Sequence, residues 1–90
     1  MYHVEYTHRF KKDLKRCDSR GLNLKKLYNV IQLLQMEGEL PSVYKPHKLK
    51  GNREGQWECH IQPDWLLVWE QNDEKFTLLF VQTGTHSDLF

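Results

Sequence analysis

Ninety residues with 39% hydrophobic and 12% aromatic side chains suit one small domain around a single core, too little for two. No apolar run approaches the ~20 residues of a bilayer span, and the start, Met1-Tyr2-His3-Val4-Glu5-Tyr6, lacks an export pattern, so a cytoplasmic protein with no membrane partner is expected. The net charge of +1 conceals an asymmetry: residues 1–53 hold twelve Lys/Arg against five Asp/Glu, and residues 54–90 hold one against seven, so the first part offers a basic rim to a polyanion or an acidic protein partner.

Tyr2, Val4 and Tyr6 alternate with His3 and Glu5 and predict a short strand. Thr7 is placed to cap a helix whose inward stripe is Phe10, Leu14 and Cys17, ending near Ser19-Arg20-Gly21. Asn23 starts a second helix with Leu24, Leu27, Tyr28, Ile31, Leu34 and Gln35 facing inward, widened by Val30 and Leu33 and closed at Glu37-Gly38. The short connection makes the two an antiparallel hairpin. Gly38, Pro41 and Pro46 mark residues 38–46 as a loop.

The remainder reads as strands. His47–Lys50 starts one, broken at Gly51-Asn52. Trp57, Cys59 and Ile61 alternate with Glu58, His60 and Gln62 in a half-buried strand, with Cys59 a buried small hydrophobe rather than a nucleophile. Pro63-Asp64 turns the chain into a strand over Trp65–Gln71; residues 72–75 form a hairpin loop; Phe76–Thr83 is the last strand; Gly84 ends it and residues 85–90 form a tail. The order β-α-α-β-β-β predicts an α+β domain over residues 1–90: an antiparallel β-sheet with an N-terminal helical hairpin packed on one face.

Two cysteines, Cys17 and Cys59, suggest no disulfide framework. Alternation puts His60 on the face opposite Cys59 and Ile61. In an antiparallel meander the end of the last strand lies near the turn before Trp65, so His60, Asp64, Gln82 and His86 are expected at one end of the sheet. Regular alternation also places Phe80 and Gln82 on one face of the last strand. Imidazoles beside lysines suit acid–base work on a phosphate ester. Ribonucleolytic transfer needs a base for the 2′-OH, an acid for the leaving 5′-oxygen, and positive charge at the phosphorus. Lys45, Lys48 and Lys50 are candidates for the charge, and Trp65 or Phe90 for stacking on a base. That chemistry requires no metal and no cofactor, and metal-ligand spacing such as His-x-x-x-His is missing. His3 and His8 have no motif around them and read as surface residues.

Three runs carry a resemblance: Pro41-x-x-Tyr44-Lys45-x-His47-x-Leu49-x-Gly51; Glu58-Cys59-His60-Ile61-x-Pro63-Asp64-Trp65-Leu66-Leu67; and Thr83-Gly84-Thr85-His86-Ser87-Asp88-Leu89-Phe90. Together with the basic helices and the element order, they resemble the YafQ type of the RelE/ParE toxin superfamily over essentially the whole chain. The resemblance implies a RelE-like fold and the toxin of a bacterial toxin–antitoxin pair. Such a toxin enters the ribosomal A site and cuts mRNA without a cofactor. It is silenced by a cognate antitoxin, and it touches operator DNA only as the toxin–antitoxin complex. The resemblance assigns proton transfer and phosphate contact to His47, His60, Asp64 and His86. His86 would be the general acid, His60 or Asp64 the base, and His47 an assistant. Trp65 and Phe90 would shape the RNA pocket.

One departure stands out. The family pattern has an arginine just before Thr-Gly-x-His, and this chain has Gln82 there. A glutamine amide donates hydrogen bonds but carries no charge. Lys48, Lys50 and Arg53 are the candidates to replace that charge. The alternative is a catalytically weakened module serving antitoxin binding and operon repression. A gyrase poison on the same fold is a third reading, which this histidine set does not call for.

Overall fold

Thr7 joins the first strand to the first helix and is tied in both directions. Its hydroxyl accepts from the Phe10 amide (3.0 Å) and donates to the Val81 carbonyl (2.9 Å). The structure, a computed structural model, describes residues 1–90. Strand β1 is His3–Tyr6 and helix α1 is His8–Ser19. Helix α2, Leu24–Glu37, is capped by Asn23 and closed by Gly38, whose φ of 72° is the left-handed conformation glycine adopts freely. Strands β2 (His47–Lys48), β3 (Gln56–Gln62), β4 (Trp65–Asn72) and β5 (Thr77–Gly84) follow, and α3 (His86–Leu89) ends the chain. Single 3-10 turns occupy Ser42–Tyr44 and Gly51–Arg53.

The sheet order is β1-β5-β4-β3-β2. The β2-to-β5 pairs are antiparallel, and β1 adds a parallel edge beside β5. The helical hairpin covers one face. Phe10, Cys17, Leu27, Val30, Ile31 and Leu34 pack there against Cys59, Trp65, Leu67, Trp69, Leu78 and Phe80. The other face carries a smaller apolar patch, Leu66, Val68 and Leu89, flanked by Leu49 and Val81.

Several expectations are corrected. Tyr28 is 46% exposed; the buried stripe of α2 is Leu27, Val30, Ile31 and Leu34, and Tyr28 lies outside it. Leu14 packs partly buried against the core as expected, but Asp13 beside it is buried as well, at 1% exposure. Phe76 does not begin β5; it sits in the preceding turn with φ 52°. Residues 85–90 are no loose tail. Thr85 and Asp88 form a capping box, each side chain bonded to the other's amide, and so build α3. Phe80 and Gln82 do not share a face. The β4–β5 register pairs Val68 with Gln82 but Trp69 with Phe80, leaving Val81 as a bulge. One extra residue re-aims everything after it, so Phe80 faces the helices and Gln82 faces the open side.

Candidate active site

On the open face, register fixes two cross-strand rows. His47, Glu58, Val68 and Gln82 stand opposite one another across β2 to β5. The next row is His60, Leu66 and Gly84. A second irregularity between His60 and Gln62 swings the Pro63-Asp64 turn, so that Asp64 meets the start of α3. The imidazoles therefore gather: His47 and His60 have ring centres 6.5 Å apart, and His60 and His86 are 5.7 Å apart.

Each ring has a distinct hydrogen-bond setting. Asp64 Oδ1 accepts from both the His86 backbone amide (3.0 Å) and the His86 Nδ1 (2.6 Å). The backbone N–H of His86 first, then its ring, holds the Asp64 carboxyl below the usual carboxylate range. The remaining nitrogen of His86, Nε2, has no protein partner. His60 Nδ1 lies 3.3 Å from the Pro63 carbonyl, which only accepts, so in the neutral ring Nε2 presents the lone pair. His47 Nδ1 meets the Lys45 carbonyl at 3.0 Å and its Nε2 lies 3.3 Å from Glu58 Oε1, so both ring nitrogens face acceptor oxygens. Glu58 is 5% exposed and its other oxygen, Oε2, is buried without a partner. Glu58 shares the His60 face by simple alternation, which was the one available signal for it.

The basic residues separate. Lys45 is exposed and lines a depression of about 330 Å³ with Val43, Tyr44, His60 and Pro63. Lys48 follows His47 in β2 and so points to the opposite face, its ammonium 5.5 Å from the Trp57 ring. Lys50 lines the same depression as Lys48, about 600 Å³, with Trp57 and Gln71. Neither Lys48 nor Lys50 joins the histidines, which corrects their assignment as phosphate contacts. Arg53 does face the open side: Nη2 donates to Gln82 Oε1, and the guanidinium carbon sits 5.1 Å from the Phe90 ring centre. Trp65 is corrected as well. It is 2% exposed in the helix-side core, and its Nε1–H donates to Thr83 Oγ1 (2.9 Å), so it offers no surface to a base. Phe90 remains exposed beside Arg53.

The C-terminal turn is clamped from α1. Arg20 Nη1 and Nη2 donate to Asp88 at 2.6 and 3.2 Å, and the Thr85 amide donates to the same carboxylate at 2.9 Å. These contacts, Arg20 first, hold the Asp88 carboxyl well below its usual range. Asp13 accepts from Arg9, Arg16 and the Thr83 amide, joining α1 to the end of β5. Burial pushes the Cys59 thiol up to about 12, which suits packing and not nucleophilic attack. No three His, Cys, Asp or Glu side chains stand close enough to hold a metal ion, and no helix is long and apolar enough to cross a membrane.

A family model described as the bacterial toxin of a type II toxin–antitoxin system, YafQ, matches residues 2–90. The chain belongs to the YafQ toxin family. This YafQ-family chain is 38% identical over 88 residues to the mRNA interferase toxin YafQ of Escherichia coli K12, a match spanning 97% of the chain and 94% of that relative. Its fold is similar to a chain of the Escherichia coli DinJ–YafQ complex, with TM-score 0.90, 36% identity, and 100% and 99% of the two chains covered. It is also similar to a metal-bound toxin from Helicobacter pylori, with TM-score 0.90, 42% identity and all of both chains covered.

Proposed function

We propose that this YafQ-family chain is an mRNA interferase: an endoribonuclease that cuts mRNA on the ribosome by acid–base catalysis and thereby stops translation. The observation that carries the reading is the convergence of His60 and His86 at 5.7 Å, with Asp64 bonded to His86. His60 Nε2 takes the proton from the ribose 2′-OH. The 2′-oxygen attacks phosphorus, the bond to the 5′-oxygen breaks, and His86 Nε2 gives that oxygen its proton. The products are a 2′,3′-cyclic phosphate and a 5′-hydroxyl. Proton transfers of this kind contribute about 10²–10⁴-fold each.

Asp64 orients His86 rather than acting as the base. Its oxygen is already committed to two donors, and a carboxylate with a lowered pKa is a weak base. The Lys45 ammonium brings positive charge toward the phosphate, and His47, held between the Lys45 carbonyl and Glu58, assists beside His60. The histidines lie on an open face rather than in an enclosed cleft, so the ribosome supplies the second wall that orders the RNA. The partner that silences the toxin is a cognate antitoxin, by analogy with the DinJ–YafQ complex, and only that complex would touch operator DNA. The toxin acts in the cytoplasm, where its substrate is.

Expression without an antitoxin should arrest growth and produce new mRNA 5′ ends, and purified protein should cut mRNA only when ribosomes are present. His86→Ala should fold as before and do neither. Growth arrest and cleavage that survive His86→Ala would overturn the proposal. A wild type that neither arrests growth nor cuts mRNA would favour the module that binds antitoxin without catalysis.

A further inference from the structure

The open face needs a fixed cation near the reacting phosphate, and the sequence position facing it from β5 is a neutral glutamine. The transferring phosphate gains negative charge in the transition state, and a guanidinium matches two of its oxygens at once. Lys48 and Lys50 point elsewhere, and Lys45 is an exposed flexible chain. Arg53 is the remaining cation. It comes from the 3-10 turn between β2 and β3, yet bonds to Gln82 on β5, two strands beyond β3 in the sheet order. Its guanidinium lies over the Phe90 ring, and Phe90 follows His86 by one helical turn, with its amide bonded to the His86 carbonyl at 2.9 Å. The Val81 bulge is what turns the Gln82 amide toward it. Arg53 Nε is buried without an acceptor, so the guanidinium is held at this place by the Gln82 oxygen and the Phe90 ring and not by a carboxylate that would cancel its charge.

The geometry points to Arg53 as the residue that contacts and stabilises the transferring phosphate, with Gln82 as its positioning residue. The charge expected on the last strand is thus supplied from the β2–β3 turn and seated there by the Gln82 carbonyl oxygen and the Phe90 ring. Gln82 is the seat, not a weakened catalyst. The Gln82 oxygen accepts from Arg53, and the Gln82 NH2 is left as a neutral donor. This inference rests on the ribonuclease reading and adds the source of its electrostatic stabilisation.

Single-turnover cleavage of mRNA on ribosomes tests it with Arg53→Ala, Gln82→Arg and the double variant, each checked for an unchanged melting temperature. Loss of one charge-stabilising donor costs on the order of 10²–10³-fold in rate, so Arg53→Ala should fall by that factor with ribosome binding retained. Gln82→Arg alone removes the acceptor that seats Arg53 and sets a second guanidinium against it, so it should cut no faster than wild type. Arg53→Ala with Gln82→Arg should regain at least about tenfold of the lost rate, because the guanidinium returns from the other strand. A purely structural role for the pair would show no such rescue. Arg53→Ala cutting within about threefold of wild type, or a double variant no faster than Arg53→Ala, overturns the assignment. If wild type cuts and His86→Ala does not, such a result removes Arg53 alone. If wild type itself does not cut, the ribonuclease reading and this inference fall together.

Discussion

Replacing Asp13 by asparagine probes how the open face is held in register with α1. The Asp13 carboxylate is 1% exposed and accepts from Arg9 Nε at 3.0 Å, Arg16 Nη2 at 2.9 Å and the Thr83 amide at 3.2 Å. Asparagine keeps one oxygen for the Thr83 amide but turns an NH2 donor toward two guanidinium donors. A hydrogen bond to a charged group contributes about 1.5–3 kcal/mol net. The two arginines are 48% and 34% exposed, so solvent screens their share. The expected loss for Asp13→Asn is therefore about 2–3 kcal/mol in total rather than for each bond. A chain of this size has a urea m-value near ~1 kcal/mol/M, so the unfolding midpoint should fall by about 2–3 M. Tryptophan fluorescence reads the transition, because Trp65 and Trp69 lie in the core. Asp18→Asn, exposed on the same helix, is the control and should stay within about 0.5 kcal/mol of wild type. A midpoint for Asp13→Asn no lower than that of the Asp18 control would refute the claim that this carboxylate joins α1 to β5.

Trp65→Phe removes the donor to Thr83 and should cost about 1–2 kcal/mol in urea unfolding while cleavage by the folded protein stays within about threefold; a large rate loss at unchanged stability would return Trp65 to the RNA surface. Gly84→Ala places a Cβ 2.7 Å from Asp88 Oδ2, so hydrogen exchange at Asp88–Phe90 should quicken and cleavage should drop while α2 keeps its protection; unchanged exchange in that segment would contradict the clamp. Acid should loosen α3 before the core. The Asp64 and Asp88 carboxyls sit below their unfolded values, held down by His86 and by Arg20, so their contribution is present above about pH 4 and is lost as pH falls through the folded values. Protection factors of the Leu89 and Phe90 amides should fall below that pH ahead of those in α2, and a single concerted loss would argue against a separately tethered turn.

Much of this architecture is legible in the residues. Thr7 and Asn23 announce both long helices through their capping oxygens, and the Trp57-Cys59-Ile61 alternation sets which way His60 points. What escapes the sequence depends on contacts between distant segments. Asp13 reads as one more solvated charge until Arg9, Arg16 and Thr83 surround it. Val81 gives no sign of being a bulge, yet that single residue decides whether Gln82 faces the helices or the site. The spacing Thr85-x-x-Asp88 was a readable capping signal, but a four-residue helix is too short for periodicity to reveal. Lys48 and Lys50 looked equivalent to Arg53 as cations; only the fold separates the face of Trp57 from the face of Gln82.

An mRNA with sulfur replacing the bridging 5′-oxygen at the scissile phosphate tests most directly whether His86 is the acid and His60 the base. A thiolate departs without needing a proton. On the oxygen substrate both His86→Ala and His60→Ala should lose about 10²-fold or more. On the sulfur substrate His86→Ala should recover to near wild-type rate while His60→Ala stays slow. A His86→Ala variant that remains slow on both substrates would contradict the acid–base pair at the centre of this account.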